Sequence, residues 1–274
     1  MSSTLQSILV VHLNPLPGRD SDFDQWWTYV HIRDVMCLTG SLGVQRFRRH
    51  RHQLHHDAQT HIPHHEWLTI YEIANTRASV AEHLRDGATE RMPISDGAEY
   101  ETVSDYYFDP VSPLPRYNPE RGFRPADDIL GSRLAVDPAS VDRFERWFVE
   151  EHAESMLQTG AALTASLFRF SDTQMMKTPP FNNYFAVYSV ADTRGALDQW
   201  ASLIRKRPAR ESLGYDSAFE FGPHAEATIG CYGPVTPRIT AESVLNAPPG
   251  ERAVADQVRI ALAGHMLSSK PMGL

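Results

Sequence analysis

Two histidines occupy the same position in a motif that the chain contains twice. Residues 23–40 read FDQWWTYVHIRDVMCLTG, and residues 144–160 read FERWFVEEHAESMLQTG. In each copy the histidine, His31 or His152, follows a pair of aromatic residues on a stretch with helical spacing. Imidazole has the unperturbed side-chain pKa closest to neutral, which suits a general acid or base. The pattern therefore predicts a proton-transfer role for both histidines.

Two carboxylates accompany the repeated histidines. Asp34 lies three residues after His31, so an ordinary helix places the two side chains within reach of each other. A count of 100° per residue puts Glu151 inside the apolar arc of its helix, where a carboxylate needs a partner or a wet cavity. We predict a catalytic set of His31, His152, Asp34 and Glu151. The competing interpretation is that the histidines are duplicated structural residues.

Several strand residues could line a binding cavity. Alternation along the first strand puts His12 on the face opposite Leu9, and Arg133 could pair there with an anionic group. Tyr106 and Tyr107 point to opposite faces, so one of them should face the interior. Aromatic side chains suit a flat apolar ligand. The predicted substrate-binding residues are His12, Trp27, Tyr106, Tyr107, Arg133 and Tyr184.

These residues fall on elements that recur in one order. A strand at residues 8–13 is followed by a helix from Phe23 to Gly40, strands at 44–48 and 67–73, a helix ending near Arg85 and a strand at 102–108. This β-α-β-β-α-β order is the ferredoxin-like unit. The same order recurs after a proline-rich segment. The expected domains are residues 1–110, a linker at 111–126, residues 127–233, and a tail at 234–274 with a helix at 251–267.

A four-stranded sheet with both helices on one face leaves its other face uncovered, and two such faces can pack together. We therefore predict an α+β fold in which tandem ferredoxin-like repeats form an intramolecular pseudo-dimeric α/β barrel. This arrangement resembles the dimeric α/β-barrel superfamily over residues 5–110 and 127–233. The Trp-x₄-His helix, from Trp26 to His31, resembles that of its EthD-like branch. The resemblance implies the fold more than the reaction, since the superfamily includes cofactor-free monooxygenases, muconolactone isomerases, polyketide cyclases and dehydratases, haem-dependent enzymes and members of unknown role.

Composition limits the partners and the compartment. The formal net charge of −8 argues against nucleic acid and anionic membranes as partners. Cys37 and Cys231, the two cysteines, form no disulfide framework, and we expect a cytoplasmic protein without a leader or a spanning helix. We expect a monomer or a homodimer.

Seven of the thirteen histidines lie between residues 50 and 65. Such density raises a metal or haem hypothesis, but no regular zinc-ligand spacing occurs there. The alternative is a solvated loop between two strands, and we expect no metal and no cofactor.

We therefore expect a cofactor-independent lyase, isomerase or dehydratase that acts on a small apolar, aromatic or polyketide-like substrate. Three alternatives stay open: a cofactor-free monooxygenase, a non-catalytic protein that binds a hydrophobic ligand, and a metal- or haem-dependent enzyme that uses the His-rich loop.

Overall fold

The first half of the chain forms four strands and two helices. The computed structural model describes residues 7–53, 65–111, 116–117, 128–176, 182–205, 215–216, 219–221, 224–226 and 229–245. Helix α1 consists of an α-helical segment, a π-helical segment and a second α-helical segment without interruption. The elements are β1 Ser7–His12, α1 (Asp20–Trp26, Trp27–His31 and Ile32–Met36), β2 Ser41–Arg49, β3 Trp67–Ile73, α2 Thr76–Asp86 and β4 Ser104–Pro110.

The second half contains the same kinds of elements. Its first helix, α3, again has a π-helical segment between two α-helical ones. Short strands follow the last long helix. The elements are β5 Arg116–Tyr117, β6 Asp128–Val136, α3 (Val141–Trp147, Phe148–His152 and Ala153–Gln158), β7 Thr164–Phe170, β8 Tyr184–Val190, α4 Thr193–Arg205, β9 Tyr215–Asp216, β10 Phe219–Phe221, β11 His224–Glu226, β12 Ile229–Pro234, β13 Ile239–Thr240 and α5 Ala241–Leu245.

Local sequence explains where α1 and α3 begin and end. Asp20 and Asp22 stand in the first turn of α1, where carboxylates complement the helix dipole. Gly40 and Gly160 follow the two helices with φ values of +89° and +70°. Glycine adopts this left-handed conformation without steric cost, and so it ends both helices at the repeated Thr-Gly.

Eight antiparallel strands close into a barrel. The strands follow the order β2-β3-β1-β4-β7-β8-β6-β12, and β12 pairs back to β2. The first half contributes β2-β3-β1-β4, and the second half contributes β7-β8-β6-β12. The contacts β4–β7 and β12–β2 join the halves. The predicted α+β barrel is thus observed.

Aromatic and aliphatic side chains fill the interior of the barrel. Alternation along β1 sends Ile8 and Val10 inward, and alternation along β4 sends Tyr106 and Phe108 inward. Members of both halves pack in this one cluster. Its buried residues are Ile8, Val10, Phe47, Leu68, Tyr106, Phe108, Ile129, Phe168, Phe185 and Tyr232.

The opposite faces of the strands pack against the helices in two separate layers. In the first helix–sheet layer, Leu9 and Val11 of β1 contact a cluster that includes Phe23 and Trp26 of α1. In the second helix–sheet layer, Leu130 and Leu134 of β6 belong to the cluster of α3. The molecule therefore has three places where a site could form: the barrel interior and the two helix–sheet layers.

The C-terminal region packs on the first half. Strand β13 pairs with β2 through Ile239 and Val44, and α5 follows it directly. Ala241 and Val244 of α5 pack against the first helix–sheet layer. This contact was not expected from the sequence. The predicted helix at 251–267 lies outside the described residues.

Candidate functional site

Both repeated histidines end a π-helical segment. In α1 the backbone N–H of Ile32 donates to the carbonyl oxygen of Trp27, and in α3 that of Ala153 donates to Phe148. These bonds span five residues instead of four, which widens the helix locally. Because the turn is widened, a count of 100° per residue does not hold through either helix. π-Bulges occur often at functional sites.

The π-helical segments place each imidazole on an indole. His31 stacks on Trp26 with ring centres 4.7 Å apart, and His152 stacks on Trp147 with ring centres 4.9 Å apart. The interplanar angles are 26° and 19°. The two histidines therefore lie in the two helix–sheet layers. They do not face the barrel interior, whose side chains come from the strands.

His152 is held by a complete set of structural contacts. Its Nε2 is 2.9 Å from the hydroxyl oxygen of Tyr188, and Trp200 packs against that tyrosine at 4.6 Å between ring centres. The ring of Phe148 lies 5.1 Å from the imidazole. His152 itself is buried. These contacts suit a residue that stabilises the second helix–sheet layer.

His31 is neutral in its surroundings. Burial lowers the pKa of His31 to about 3, and the positive charges of His83 and Arg46 act in the same direction. The residue keeps partial solvent exposure, but its ring packs against Trp26 and Trp27. A base whose conjugate acid has so low a pKa accepts protons weakly at neutral pH.

The two predicted carboxylates lie in different environments. Asp34 is buried and lines a cavity of about 280 Å³ at the outer end of the first helix–sheet layer. Glu151 is exposed to solvent, so its predicted place in the apolar arc is wrong. The widened π-helical segment, which contains Glu151, rotates this side chain away from the core. The other residues that line the cavity are Arg33, Cys37, Leu38, Asp86, Arg91 and Met92.

Three of the predicted substrate-binding residues share the barrel interior. His12 is buried there, and its Nδ1 lies 2.5 Å from Nη2 of Arg133. The same Nη2 donates to the hydroxyl of Ser104 at 3.1 Å. Tyr106 packs in the interior cluster. The structure thus brings together His12 of the first half and Arg133 of the second half. The interior position of His12 agrees with the strand alternation.

The other three predicted substrate-binding residues face the helices. Trp27 and Tyr107 pack in the first helix–sheet layer, where the Tyr107 hydroxyl lies 3.0 Å from Oγ of Ser79. Tyr184 packs in the second layer and donates to a carboxylate oxygen of Glu145 at 2.6 Å. The six predicted residues therefore do not line one cavity, because three of them face the barrel interior and three face the helices.

Arg46 is a buried cation on the helix-facing side of β2. Its side chain is 1% exposed, and its Nη1 donates to Asp24 at 2.6 Å and to Thr28 at 2.5 Å. The guanidinium carbon lies 4.6 Å from the ring centre of Trp67 and 5.8 Å from that of Trp27. Burial lowers the pKa of Arg46, and the bond to Asp24 opposes this effect.

Asp105 is a second ionisable group on the same face, and it is half-buried with its Oδ1 shielded from solvent. The strand register aligns Arg46 with Thr69, Thr69 with Val11, and Val11 with Asp105, so one row crosses four strands. Burial raises the pKa of Asp105 to about 7. Its charge interacts with the hydroxyl of Tyr71, which occupies the next row. A carboxyl group with this pKa exchanges protons readily at neutral pH.

Polar atoms without a hydrogen-bond partner among the described residues concentrate in the first helix–sheet layer. They include Nε and Nη2 of Arg46, Nε1 of Trp67, Nδ1 of His83 and Oδ1 of Asp105. In the second layer, by contrast, the repeated histidine is bonded, since His152 pairs with Tyr188. A buried polar atom without a partner costs about 1–3 kcal/mol, so such a concentration marks the first helix–sheet layer as a candidate site.

Sequence reasoning missed Arg46, Asp105 and His83. A signal existed for two of them. Arg46 shares the helix-facing side of its strand with Val44, and Asp105 shares it with Tyr107. A charged side chain on the helix-facing side of a strand lies beneath the helices, and shielded charges of this kind are candidates for functional sites.

The His-rich segment is described only at its ends. His65 is buried, and its Nε2 lies 2.7 Å from the carbonyl oxygen of Thr102. His55, His56, His61 and His64 lie outside the described residues. Within the described ranges, no group of three or more His, Cys, Asp or Glu side chains could hold a metal ion. No helix in the described part of the chain is long and apolar enough to cross a membrane.

Solved structures of other proteins share this fold. An anthrone oxidase-like protein superposes with a TM-score of 0.55 at 9% identity, covering 88% of this chain and 95% of that one. A protein provisionally named a chlorite dismutase superposes with a TM-score of 0.51 at 14% identity, covering 88% and 97%. Chlorite dismutase from Candidatus Nitrospira defluvii superposes with a TM-score of 0.47 at 9% identity, covering 95% and 96%.

These likenesses define a class by fold. The chain has the fold of the dimeric α/β-barrel proteins, with the barrel closed within one chain. They do not single out the EthD-like branch. No family model matches the sequence, and no curated protein matches it.

The family resemblance seen in the sequence raises the question of haem. An axial imidazole needs a nitrogen open to the iron and a free space beside its ring. Nε2 of His152 is engaged by Tyr188, and Nδ1 of His12 by Arg133. The ring of His31 is packed against two indoles. At these three histidines the described residues do not fit a haem.

Proposed function

We propose that this protein is a cofactor-independent enzyme that removes a proton from a small aromatic substrate in the first helix–sheet layer. The observation that carries this proposal is Asp105, whose pKa burial raises to about 7 and whose Oδ1 is buried without a hydrogen-bond partner among the described residues, beside other unsatisfied polar atoms of the same layer. A base with a pKa near the working pH is the most effective proton acceptor.

The surrounding residues suit the charge that forms when the proton leaves. Burial raises the pKa of Tyr71 far above its ordinary value, so its hydroxyl keeps its proton and can donate to a developing oxyanion. Arg46 supplies a positive field in the same layer. Trp27 and Trp67 supply flat apolar surface. His31, in its neutral form, packs beside Trp27 and adds no competing charge.

We propose oxygenation as the reaction that follows. The fold likeness to an anthrone oxidase-like protein favours it over elimination or isomerisation, the reactions favoured by the sequence. With anthrone, Asp105 takes one methylene proton, and the carbanion transfers electrons to O₂ and forms a C–O bond. Asp105 returns its proton to the resulting peroxide anion. The hydroperoxide formed in this way loses water as its C–H and O–O bonds break. Anthrone plus O₂ thus gives anthraquinone plus water.

The test is oxygen uptake with anthrone and with 1,8-dihydroxyanthrone, after subtraction of the rate in buffer. We expect one O₂ consumed for each quinone formed, and a loss of 100-fold or more in kcat for Asp105→Asn, which is typical for removal of a general base. Turnover without oxygen uptake would favour an isomerase or a lyase. An unchanged rate in Asp105→Asn would overturn the assignment of the base.

We also infer that the two halves are tandem ferredoxin-like repeats. The support is the equal strand order in each half and the π-helical segment that ends at His31 and at His152. On this interpretation the first copy kept the site, and the second copy closed its layer with the His152–Tyr188 pair and with Trp200, which packs against both.

A further inference from the structure

We infer that the site in the first helix–sheet layer binds a carboxylate, held by two parallel bonds from Arg46. This inference deepens the proposed function, on whose location it rests, and it names the substrate class as an aromatic compound with a carboxylate group, of which anthrone represents only the reacting ring system. The observation behind it is that one edge of a fully buried guanidinium has no partner among the described residues.

One side of Arg46 is fixed by the protein. Nη1 donates to Asp24 and Thr28 of α1, which sets the plane of the guanidinium. Nε and Nη2 make up the other donor edge, and both atoms are buried without a hydrogen-bond partner. An N–H on each of these two nitrogens points in the same direction, a geometry that matches the two oxygens of a carboxylate.

The charge of Arg46 also favours an anionic ligand. The side chain is 1% exposed, whereas Asp24, its ion-pair partner, is 45% exposed and shares its charge with solvent. The other ionisable groups that interact with it do not offset the charge: Tyr71 keeps its proton, and His31 is neutral. A second anion is therefore favourable at the open edge, since a buried charge is stable only when it is paired.

Two indole rings beside Arg46 favour an aromatic ligand. The guanidinium carbon lies 4.6 Å from the ring centre of Trp67 and 5.8 Å from that of Trp27, so the charged edge is framed by flat rings. Nε1 of Trp67 is a further buried donor without a partner among the described residues. An aromatic ring attached to the carboxylate would contact these surfaces favourably.

The test is a calorimetric titration with naphthalene-1-carboxylate, naphthalene-1-carboxamide and inorganic phosphate. We expect the carboxylate to bind the wild-type chain at least 10-fold more tightly than the amide or phosphate. In Arg46→Lys, which keeps the charge and loses the paired donors, its Kd should rise at least 10-fold. Arg48→Lys is the matched control, because Arg48 is on the same strand, lies over the same Trp67 ring and is 53% exposed. Its Kd should change less than 2-fold.

Equal binding of acid and amide, tighter binding of phosphate, no binding of any probe, or an unchanged Kd in Arg46→Lys would each overturn the inference. The ¹⁵N resonance of Arg46 Nε provides a second measurement that requires no mutation, and it should shift on addition of the carboxylate. Asp105→Asn should keep the carboxylate affinity within 3-fold. If Arg46→Lys lost carboxylate binding while Asp105→Asn kept full turnover, only the proposed base would be rejected. If Arg46→Lys kept carboxylate binding while Asp105→Asn lost turnover, only the carboxylate site would be rejected.

Discussion

Nε2 of His152 lies 2.9 Å from the hydroxyl of Tyr188, so each group satisfies the other within the second helix–sheet layer. At the matching position of the first half, the hydroxyl of Tyr71 and Nε1 of Trp27 are both buried without a hydrogen-bond partner among the described residues. Phe148 replaces that indole in the second copy and offers no N–H. The same helix motif therefore produces a closed layer in one half and a layer with unsatisfied polar atoms in the other.

The pairing of His152 with Tyr188 should contribute to stability and not to turnover. We expect His152→Gln and Tyr188→Phe each to lower the free energy of unfolding by about 1–2 kcal/mol, because each leaves a buried group without its partner. A double-mutant cycle in urea should give a coupling free energy of about 1 kcal/mol. Oxygen uptake by either folded variant should stay within 3-fold of wild type, and a loss of 100-fold would move the active site to the second layer.

The stability of the protein should depend on pH through Asp105. Its pKa is raised from 3.8 in the unfolded chain to about 7 in the fold, so the native state retains a proton that the unfolded state releases. The stability that protonated Asp105 contributes is complete below about pH 4 and is lost as the pH rises through about 7. Asp105→Asn cannot ionise and should gain on the order of 2 kcal/mol relative to wild type between pH 4 and 8. Urea unfolding measures this gain, and Asp142→Asn, at an exposed position, should show none.

His31 should produce the opposite dependence. Its pKa is lowered from 6.5 to about 3, so the unfolded chain takes up a proton that the native state does not. The stability that depends on neutral His31 is complete above pH 6.5 and is lost as pH falls towards 3. His31→Gln should lose less stability than wild type on acidification from pH 7 to 4. Urea unfolding at each pH measures this loss. Equal losses of unfolding free energy in the two proteins would contradict the lowered pKa of His31. His83, whose pKa burial lowers to about 4, remains in both proteins.

The turn after α1 should tolerate no side chain. A Cβ added to Gly40 would lie 2.8 Å from the backbone nitrogen of Asn75, and its φ of +89° is unfavourable for other residues. Gly40→Ala should therefore cost about 2–3 kcal/mol of unfolding free energy. Gly160→Ala, in the matching turn, has the left-handed φ of +70° and is expected to cost about 1 kcal/mol. Equal losses would show that the contact with Asn75 relaxes.

The order of the elements and the barrel could be predicted from the sequence. Hydrophobic alternation identified the eight barrel strands, and the repeated motif located α1 and α3 with boundaries within a few residues. Alternation along β1 correctly placed His12 inside the barrel. Alternation along β4 predicted that one of Tyr106 and Tyr107 faces the interior, and the structure shows that it is Tyr106. These features depend on local periodicity, which a single sequence retains.

The site could not be predicted in the same way. Angles along α1 and α3 were counted for an ideal helix, and the π-helical segments invalidate that count beyond Trp27 and Phe148. The row from Arg46 to Asp105 depends on the register of four strands that are far apart in the chain. The raised pKa of Asp105 follows from burial in a layer that exists only after folding.

The most direct test of a proton-abstracting Asp105 is the exchange of the anthrone methylene hydrogens for deuterium in D₂O under argon, followed by NMR. Without oxygen the assay isolates the first chemical step. We predict that the enzyme-dependent exchange rate rises with pH, with an apparent pKa near 7, and falls at least 100-fold in Asp105→Asn. Exchange that proceeds equally well in the Asn variant would contradict the account.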